Sequence, residues 1–377
     1  MRTIRFHAAI AELPAAEWDA LRTDTNPFVS HAFLAALEHN GCIRPEWGWQ
    51  AHHLGLYEDG RLLAAAPLYL KGNSHGEFVF DFSWANAFER AGGDYYPKLL
   101  GAVPYSPVPG PRLLATNNAD KQKLVAALIA ETQRLGLSSV HVNFLCEADL
   151  AAFDERWLKR FDWQFHWHNQ GYRHFEAFLA TLTGKKRKNI RQERRQARES
   201  GLKIAMEAGS TISDEDWCAL HALYETTFDM KGNHAAMTLP FFQHLGHTLG
   251  DRVQVATARR VDGRVVAMAL CLVGDSTLYG RYWGSLVEVP GLHFELCYYL
   301  GIEFCIANQL QTFEPGAQGE HKMARGFLPT RTHSRHYLAN ESFHEAVRNA
   351  LEHEAQSSEA YFDELMEHSP YTPTAKA

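Results

Sequence analysis

The densest group of reactive side chains lies late in the chain, in Phe313-Glu314-Pro315-Gly316-Ala317-Gln318-Gly319-Glu320-His321-Lys322 followed by Ala324-Arg325-Gly326-Phe327. Glu320, His321, Lys322 and Arg325 offer a base, a proton shuttle and two cationic anchors close together. Gly316 and Gly319 let the backbone approach a ligand and present its N–H groups. Such a set suits a reaction in which a nucleophile sheds a proton while negative charge grows on an oxygen. It equally suits a glycine-rich turn whose charged residues face water. His321 and Lys322 are therefore catalytic candidates, with Glu314, Gln318, Glu320 and Arg325 as substrate contacts.

A second carboxylate with two readings is Glu295, in His293-Phe294-Glu295 at the start of an otherwise apolar helical stretch. A carboxylate in a first turn is favoured by the helix dipole by ~0.3–1 kcal/mol, which accounts for it without chemistry. Its apolar setting also fits a general base or an amine-orienting group, so Glu295 joins the catalytic candidates. Tyr282 and Trp283, just upstream, either line a substrate cleft or belong to the core.

Thr183 to Gly201 reads as one helix, with Thr183 at its start and Gly201 closing its end. Lys185 to Arg198 contains eight basic residues and one acid, Glu193, in a chain of net charge −7. At helical spacing Arg187, Arg191, Arg194 and Arg198 share one stripe, and Ile190 and Ala197 form a thin apolar seam. Like charges stacked at i,i+4 repel, so a one-sided stripe points to an anion. A solvated linker helix or a nonspecific nucleic-acid patch is the alternative.

Other chemistries lack their signatures. No His-Glu-x-x-His or related ligand spacing suggests a metal, despite 21 histidines. There is no Gly-x-Ser-x-Gly elbow, no phosphate-binding loop ending in Gly-Lys-Ser/Thr and no Gly-x-Gly-x-x-Gly fingerprint. The six cysteines form no Cys-x-x-Cys pair, which fits a reducing cytoplasmic setting. No apolar run is long enough to span a membrane, and the first residues do not resemble a signal peptide.

The elements that must carry these groups are those of a soluble α/β protein of 377 residues, long enough for two domains. Helices are expected at 14–21, 30–40, 120–135, 147–160, 213–228, 239–249 and 291–308. Strands are expected at 3–8, 50–57, 61–70, 77–82, 139–144, 164–167, 252–261, 264–273, 276–283 and 311–313. A surface helix should follow toward the end of the chain, with a short frayed tail.

A repeat organises this order. Asp59-Gly60-Arg61-Leu62-Leu63-Ala64-Ala65-Ala66 precedes Asp262-Gly263-Arg264-Val265-Val266-Ala267-Met268-Ala269 by 203 positions. Each stretch sits in a β-meander followed by a helix and a further strand, which indicates a duplicated α/β domain with the basic helix at the junction. The expected parts are 1–180, the basic helix 181–202, 203–345, and a C-terminal helix and tail 346–377.

Over roughly residues 25–340 the chain resembles the FemAB-like branch of the GNAT N-acyltransferase superfamily, which includes the peptidoglycan bridge aminoacyltransferases. The likeness rests on Phe165-His166-Trp167 with Gly171-Tyr172, on Lys185-Lys186-Arg187-Lys188-Asn189-Ile190-Arg191, on His293-Phe294-Glu295 and on the 316–327 stretch. It implies mixed α/β sheets in tandem GNAT-like acyltransferase domains. It further implies transfer of an activated acyl or aminoacyl group onto an amine, the acceptor being small, peptidic or nucleotide-linked. Lys185, Lys188 and Arg191 would then contact phosphates, and Glu295 would follow the strand–helix turn. No cofactor is expected to be bound permanently; the donor, aminoacyl-tRNA or acyl-CoA, is a co-substrate. The stretch nearest to an acyl-CoA signature, Arg281-Tyr282-Trp283-Gly284-Ser285-Leu286, departs from it at Leu286, which favours aminoacyl-tRNA. The other reading is a non-catalytic anion- or RNA-binding GNAT-like module.

Overall fold

A computed structural model of the chain describes residues 1–229, 232, 234–317 and 319–372. They form two compact units, residues 1–163 with 331–361 and residues 164–330 with the end of the chain. Strands in chain order are β1 Arg2–His7, β2 Trp49–Ala51, β3 His53–Glu58, β4 Arg61–Ala66, β5 Tyr69–Lys71, β6 Lys98–Gly101, β7 Leu114–Ala115 and β8 Ser139–Leu145. They continue with β9 Leu158–His168, β10 Lys203–Ala208, β11 Val253–Arg259, β12 Val265–Val273, β13 Thr277–Ser285, β14 Thr312–Glu314 and β15 Leu328–Leu338. The chain enters the second unit within β9 and leaves it within β15.

In the first unit β1-β3-β4-β7 form an antiparallel sheet, and β2-β5-β6-β8 a mixed one. The connection from β6 to its parallel neighbour β8 runs through the helix Asn118–Arg134. Leu124, Val125 and Leu128 of that helix pack on Leu54, Leu56, Leu99 and Val140. The second unit is ordered β10-β11-β12-β13-β14-β9, and its parallel pair β13/β14 likewise brackets a helix, Leu292–Ala307. A meander plus one helix-bracketing parallel pair thus occurs in each unit, as a duplication requires. The Asp-Gly turns nonetheless differ. Asp59 and Gly60 both have positive φ in a two-residue hairpin, whereas around Asp262-Gly263 the Arg260 amide bonds back to Arg264, giving a longer loop.

Of the expected elements, one is absent and one is much shorter, each for a physical reason. Residues 77–82 alternate like a strand, but the orientation is inverted: Glu77 and Asp81 point inward, while Phe78, Phe80 and Phe82 are 37–46% exposed. The cause is Lys98 on β6, 1% exposed, whose ammonium donates to Glu77 at 2.7 Å, Asp81 at 2.5 Å and Ser74 at 2.8 Å. A buried cation must be met by acceptors, and the segment loops to deliver them. The expected helix 147–160 shrinks to Glu147–Leu150, because the chain already enters β9 at Leu158.

Lys98→Met should leave Glu77 and Asp81 buried without their cation and cost about 3–5 kcal/mol, read as an earlier midpoint in denaturant unfolding.

Candidate active site

The basic helix runs Gly184–Arg198 and ends at Gly201, whose φ is 78°. Thr183 occupies its N-terminal position without a side-chain capping bond. The C-terminal segment ties down its entry: Thr183 N–H donates to Pro370 O at 2.9 Å, and Thr372 N–H to Thr181 O at 3.0 Å. Ile190 and Ala197 are buried as expected, but Arg194 is buried with them. Its guanidinium donates to Glu295 at 2.9 and 3.0 Å, and to Glu303 at 2.8 Å through two nitrogens, while stacking 4.1 Å over Phe175. Burial works against this charge, but the hydrogen bonds it donates to Glu303 and Glu295 outweigh that cost and raise the Arg194 pKa. The arginine stripe is therefore split, with part of its anion supplied internally.

The outward residues line two surface concavities. A concavity of about 360 Å³ is lined by Arg187, Lys188, Arg191 and Arg195, and one of about 300 Å³ by Phe175, Arg191, Arg195 and Arg198. Arg191 also pairs with Glu176 at 2.5 Å; Lys185 is exposed on the first turn of the helix.

Across from the helix, Leu292–Ala307 contains a π turn over Glu295–Tyr299. The extra residue in that turn brings Glu295, Tyr298 and Tyr299 all inward. Glu295 is fully buried against Arg194, Tyr299 donates its hydroxyl to Glu193, and Tyr298 bonds His321 Nε2 at 2.9 Å.

Glu320–Arg325 form a 3-10 turn held by both helices. His321 is exposed along part of its ring; desolvation of the rest, aided by the charges of Arg325 and Lys322, lowers its pKa from the ordinary histidine value. Gly319 supports it from below, since a Cβ there would lie 2.4 Å from the imidazole. Lys322 is 2% exposed and donates to Gly316 O at 2.6 Å. Burial, with Arg281 adding repulsion, lowers its pKa to about 7. Arg325 lies 3.3 Å over Phe294, donates to His321 O at 2.8 Å and pairs with Glu193 at 2.7 Å.

Glu314 on β14 pairs with Arg281 of β13 at 3.4 Å. Arg281 is the bulged residue: Leu270 faces Tyr282 and Cys271 faces Gly280, so the bulge turns its side chain inward. Tyr282 and Trp283 then separate. Trp283 meets His293 edge-to-face at 4.9 Å, whereas Tyr282 joins the core rings of Tyr224 and Phe242. Glu320 is exposed at the head of the turn, and Gln318 lies outside the described residues.

His321, Lys322 and Arg325 thus share one turn; His293 lies between His321 and Trp283, with ring centroids 6.4 and 4.9 Å away, Glu314 is paired with Arg281, and Glu295 lies at the seam with the basic helix. Sequence reasoning missed His293, Tyr298, Arg194 and Glu193 as parts of this assembly. The signals were an acid within a cationic run and two consecutive tyrosines in an apolar helix. Burial lowers the His293 pKa to about 4, and burial keeps Cys297 a thiol. Among the described residues no group of three or more metal-ligating side chains occurs, and no helix is long and apolar enough to cross a membrane.

Two mixed α/β units, the second of which sets a polar turn against a cationic helix, define a class of fold, and comparison with known proteins narrows it. Residues 9–373 match the FemAB-like family, described as peptidoglycan biosynthesis/recognition, and the chain belongs to that family. No curated protein matches the sequence. Among solved structures, the C-terminal domain of a putative lysylphosphatidylglycerol synthetase from Agrobacterium fabrum superposes with TM-score 0.55 at 11% identity, covering 91% of this chain and 96% of that one. FemX superposes with TM-score 0.51 at 11% identity, covering 92% and 100%. L-PGS from Bacillus licheniformis gives 0.50 at 12%, covering 84% and 93%. At such identities the likeness is one of fold, and it matches the fold class expected from the sequence.

Arg194→Met, which leaves the buried Glu295 only its longer 3.4 Å contact with Arg198, is expected to cost about 3–5 kcal/mol, while Arg187→Met on the outer face should stay within about 0.5 kcal/mol of wild type. Denaturant midpoints of the two variants distinguish them.

Proposed function

We propose that this chain is an N-acyl- or aminoacyltransferase acting on an amine of a peptidoglycan-type peptide or of its nucleotide-linked precursor. The observation that carries this reading is the convergence of His321 and Lys322 on one turn that Arg325 ties to the cationic helix.

In this reading the acceptor amine adds to the donor's ester carbonyl and forms the N–C bond. His321, neutral and oriented by Tyr298, takes the proton the amine releases. Lys322 in its ammonium form stabilises the oxyanion. The C–O ester bond then breaks, and His321 returns its proton to the departing hydroxyl oxygen. Glu295, engaged by Arg194, serves here to fix the helix seam rather than as the base. Arg187, Lys188 and Arg191 hold phosphates of donor or acceptor, with Lys185 at the entrance.

Two features support aminoacyl-tRNA over acyl-CoA as donor. An acyl-CoA pyrophosphate would use the free N–H groups at the start of Leu292–Ala307. That start is covered, since a Cβ on Gly291 would lie 2.2 Å from the Glu193 carbonyl oxygen. Arg281, the cation in the corresponding motif, is turned inward onto Glu314.

Melting-temperature shifts test the donor and acceptor. A non-hydrolysable aminoacyl-tRNA analogue and a nucleotide-linked peptide should each raise the midpoint, by mass action on the folded state. A shift with acetyl-CoA alone would overturn the assignment. Lys188→Ala should raise KM for the phosphate-bearing substrate severalfold and leave kcat in place.

The pH profile follows from the two shifted groups. His321 must be neutral and Lys322 protonated, so kcat/KM should rise through a pKa below the usual histidine range and fall near pH 7. Lys322→Arg should remove the alkaline limb, and His321→Gln should lower kcat by about 100-fold or more and remove the acid limb.

A further inference from the structure

Glu193 is the single acid among the eight basic residues of Lys185–Arg198, and the transfer chemistry gives it no part. Its backbone forms the close contact with the neighbouring helix: Gly291, at φ 79°, sits where any Cβ would strike the Glu193 carbonyl. Its side chain turns away from the solvent face of its helix. One oxygen accepts from the Tyr299 hydroxyl, and the other from Arg325 Nη2 at 2.7 Å. Arg325 is 8% exposed and packed flat on Phe294. Its other terminal nitrogen donates to the His321 carbonyl at 2.8 Å. A continuous set of contacts therefore runs from the basic helix through Glu193 and Arg325 to the main chain between the two catalytic candidates.

We infer that Glu193 is a positioning residue, which holds Arg325 and through it sets His321 and Lys322 in the geometry used for transfer. The inference rests on the transferase reading for its kinetic consequence, but its structural consequence can be measured without substrate. It also opposes the simplest electrostatic expectation. An acid within a cationic surface weakens anion attraction, so a merely electrostatic role predicts that removing it improves substrate binding and leaves turnover alone. A positioning role predicts that turnover falls while binding holds.

The test uses the full chain with Glu193→Ala and Glu193→Gln, the latter retaining shape and one hydrogen-bond acceptor. In Glu193→Ala, kcat should drop about 100-fold, the scale expected when reacting groups are misplaced by about 1 Å. KM for the phosphate-bearing substrate should stay equal or fall, and Glu193→Gln should recover a large part of the loss. In parallel, the rate and pH dependence of His321 carbethoxylation are followed by peptide mass mapping, with the exposed His353 as internal control. His321 reactivity should change severalfold in Glu193→Ala and that of His353 should not. Wild-type kcat together with unchanged His321 reactivity would overturn the inference. If Glu193→Ala does not fold, the same two readouts on Glu193→Gln decide, with a partial fall in kcat and a changed His321 rate expected. If wild type itself turns over no acyl donor, the transferase reading fails, and His321 reactivity alone still decides the positioning role.

Discussion

A helix this cationic can pack against an apolar one only if the charges at the seam are neutralised where they lose water. Arg194 sets that constraint. Its guanidinium is buried and satisfied by two carboxylates, Glu295 and Glu303, both on the opposing helical stretch. Removing a charge from water costs several kcal/mol, and the pairing repays it only with good geometry. The paired hydrogen bonds to each carboxylate supply that geometry. Ile190 and Ala197 fill the apolar remainder of the seam, and Gly291 removes the one side chain that would hold the helices apart. Glu193 and Arg325 extend the same pattern to the polar turn.

Two buried lysines show how partners decide chemistry. Lys98 and Lys322 are each at most 2% exposed. Burial disfavours both ammonium groups, yet Lys98, facing Glu77 and Asp81, has its pKa raised. Lys322 has a carbonyl for partner and Arg281 nearby, and among the described residues no carboxylate lies within ion-pair distance of it. Its pKa falls to about 7. One lysine is a structural cation that shapes a loop; the other is a buried ammonium with no carboxylate to hold its proton, so burial sets the direction of its shift.

The bulge at Arg281 and the π turn at Glu295–Tyr299 do related work on either side of this turn. Each adds one residue to a regular element and changes which side chains face inward. The bulge gives Glu314 a cationic partner and sends Tyr282 and Trp283 to different surroundings. The π turn lets adjacent tyrosines serve two masters: Tyr298 orients His321, and Tyr299 binds Glu193. Neither irregularity leaves a mark in spacing, because each follows from what lies across the interface.

What the sequence determined on its own was local and repeated. Helical periodicity located the basic helix and the helix before the polar turn, the paired Asp-Gly meanders revealed the duplication, and the clustering of Glu320, His321, Lys322 and Arg325 marked the turn itself. These signals survive because turn chemistry and periodicity act over a few neighbouring residues. Only the tertiary structure decided which charges meet water. It turned Arg194 and Glu193 inward from a helix whose sequence shows only a thin apolar seam at Ile190 and Ala197, and withdrew Glu295 into an ion pair. It also reversed the faces of residues 77–82 to satisfy Lys98. Desolvation is set by whatever packs opposite a side chain, often a hundred residues away, and no spacing along the chain encodes that distance.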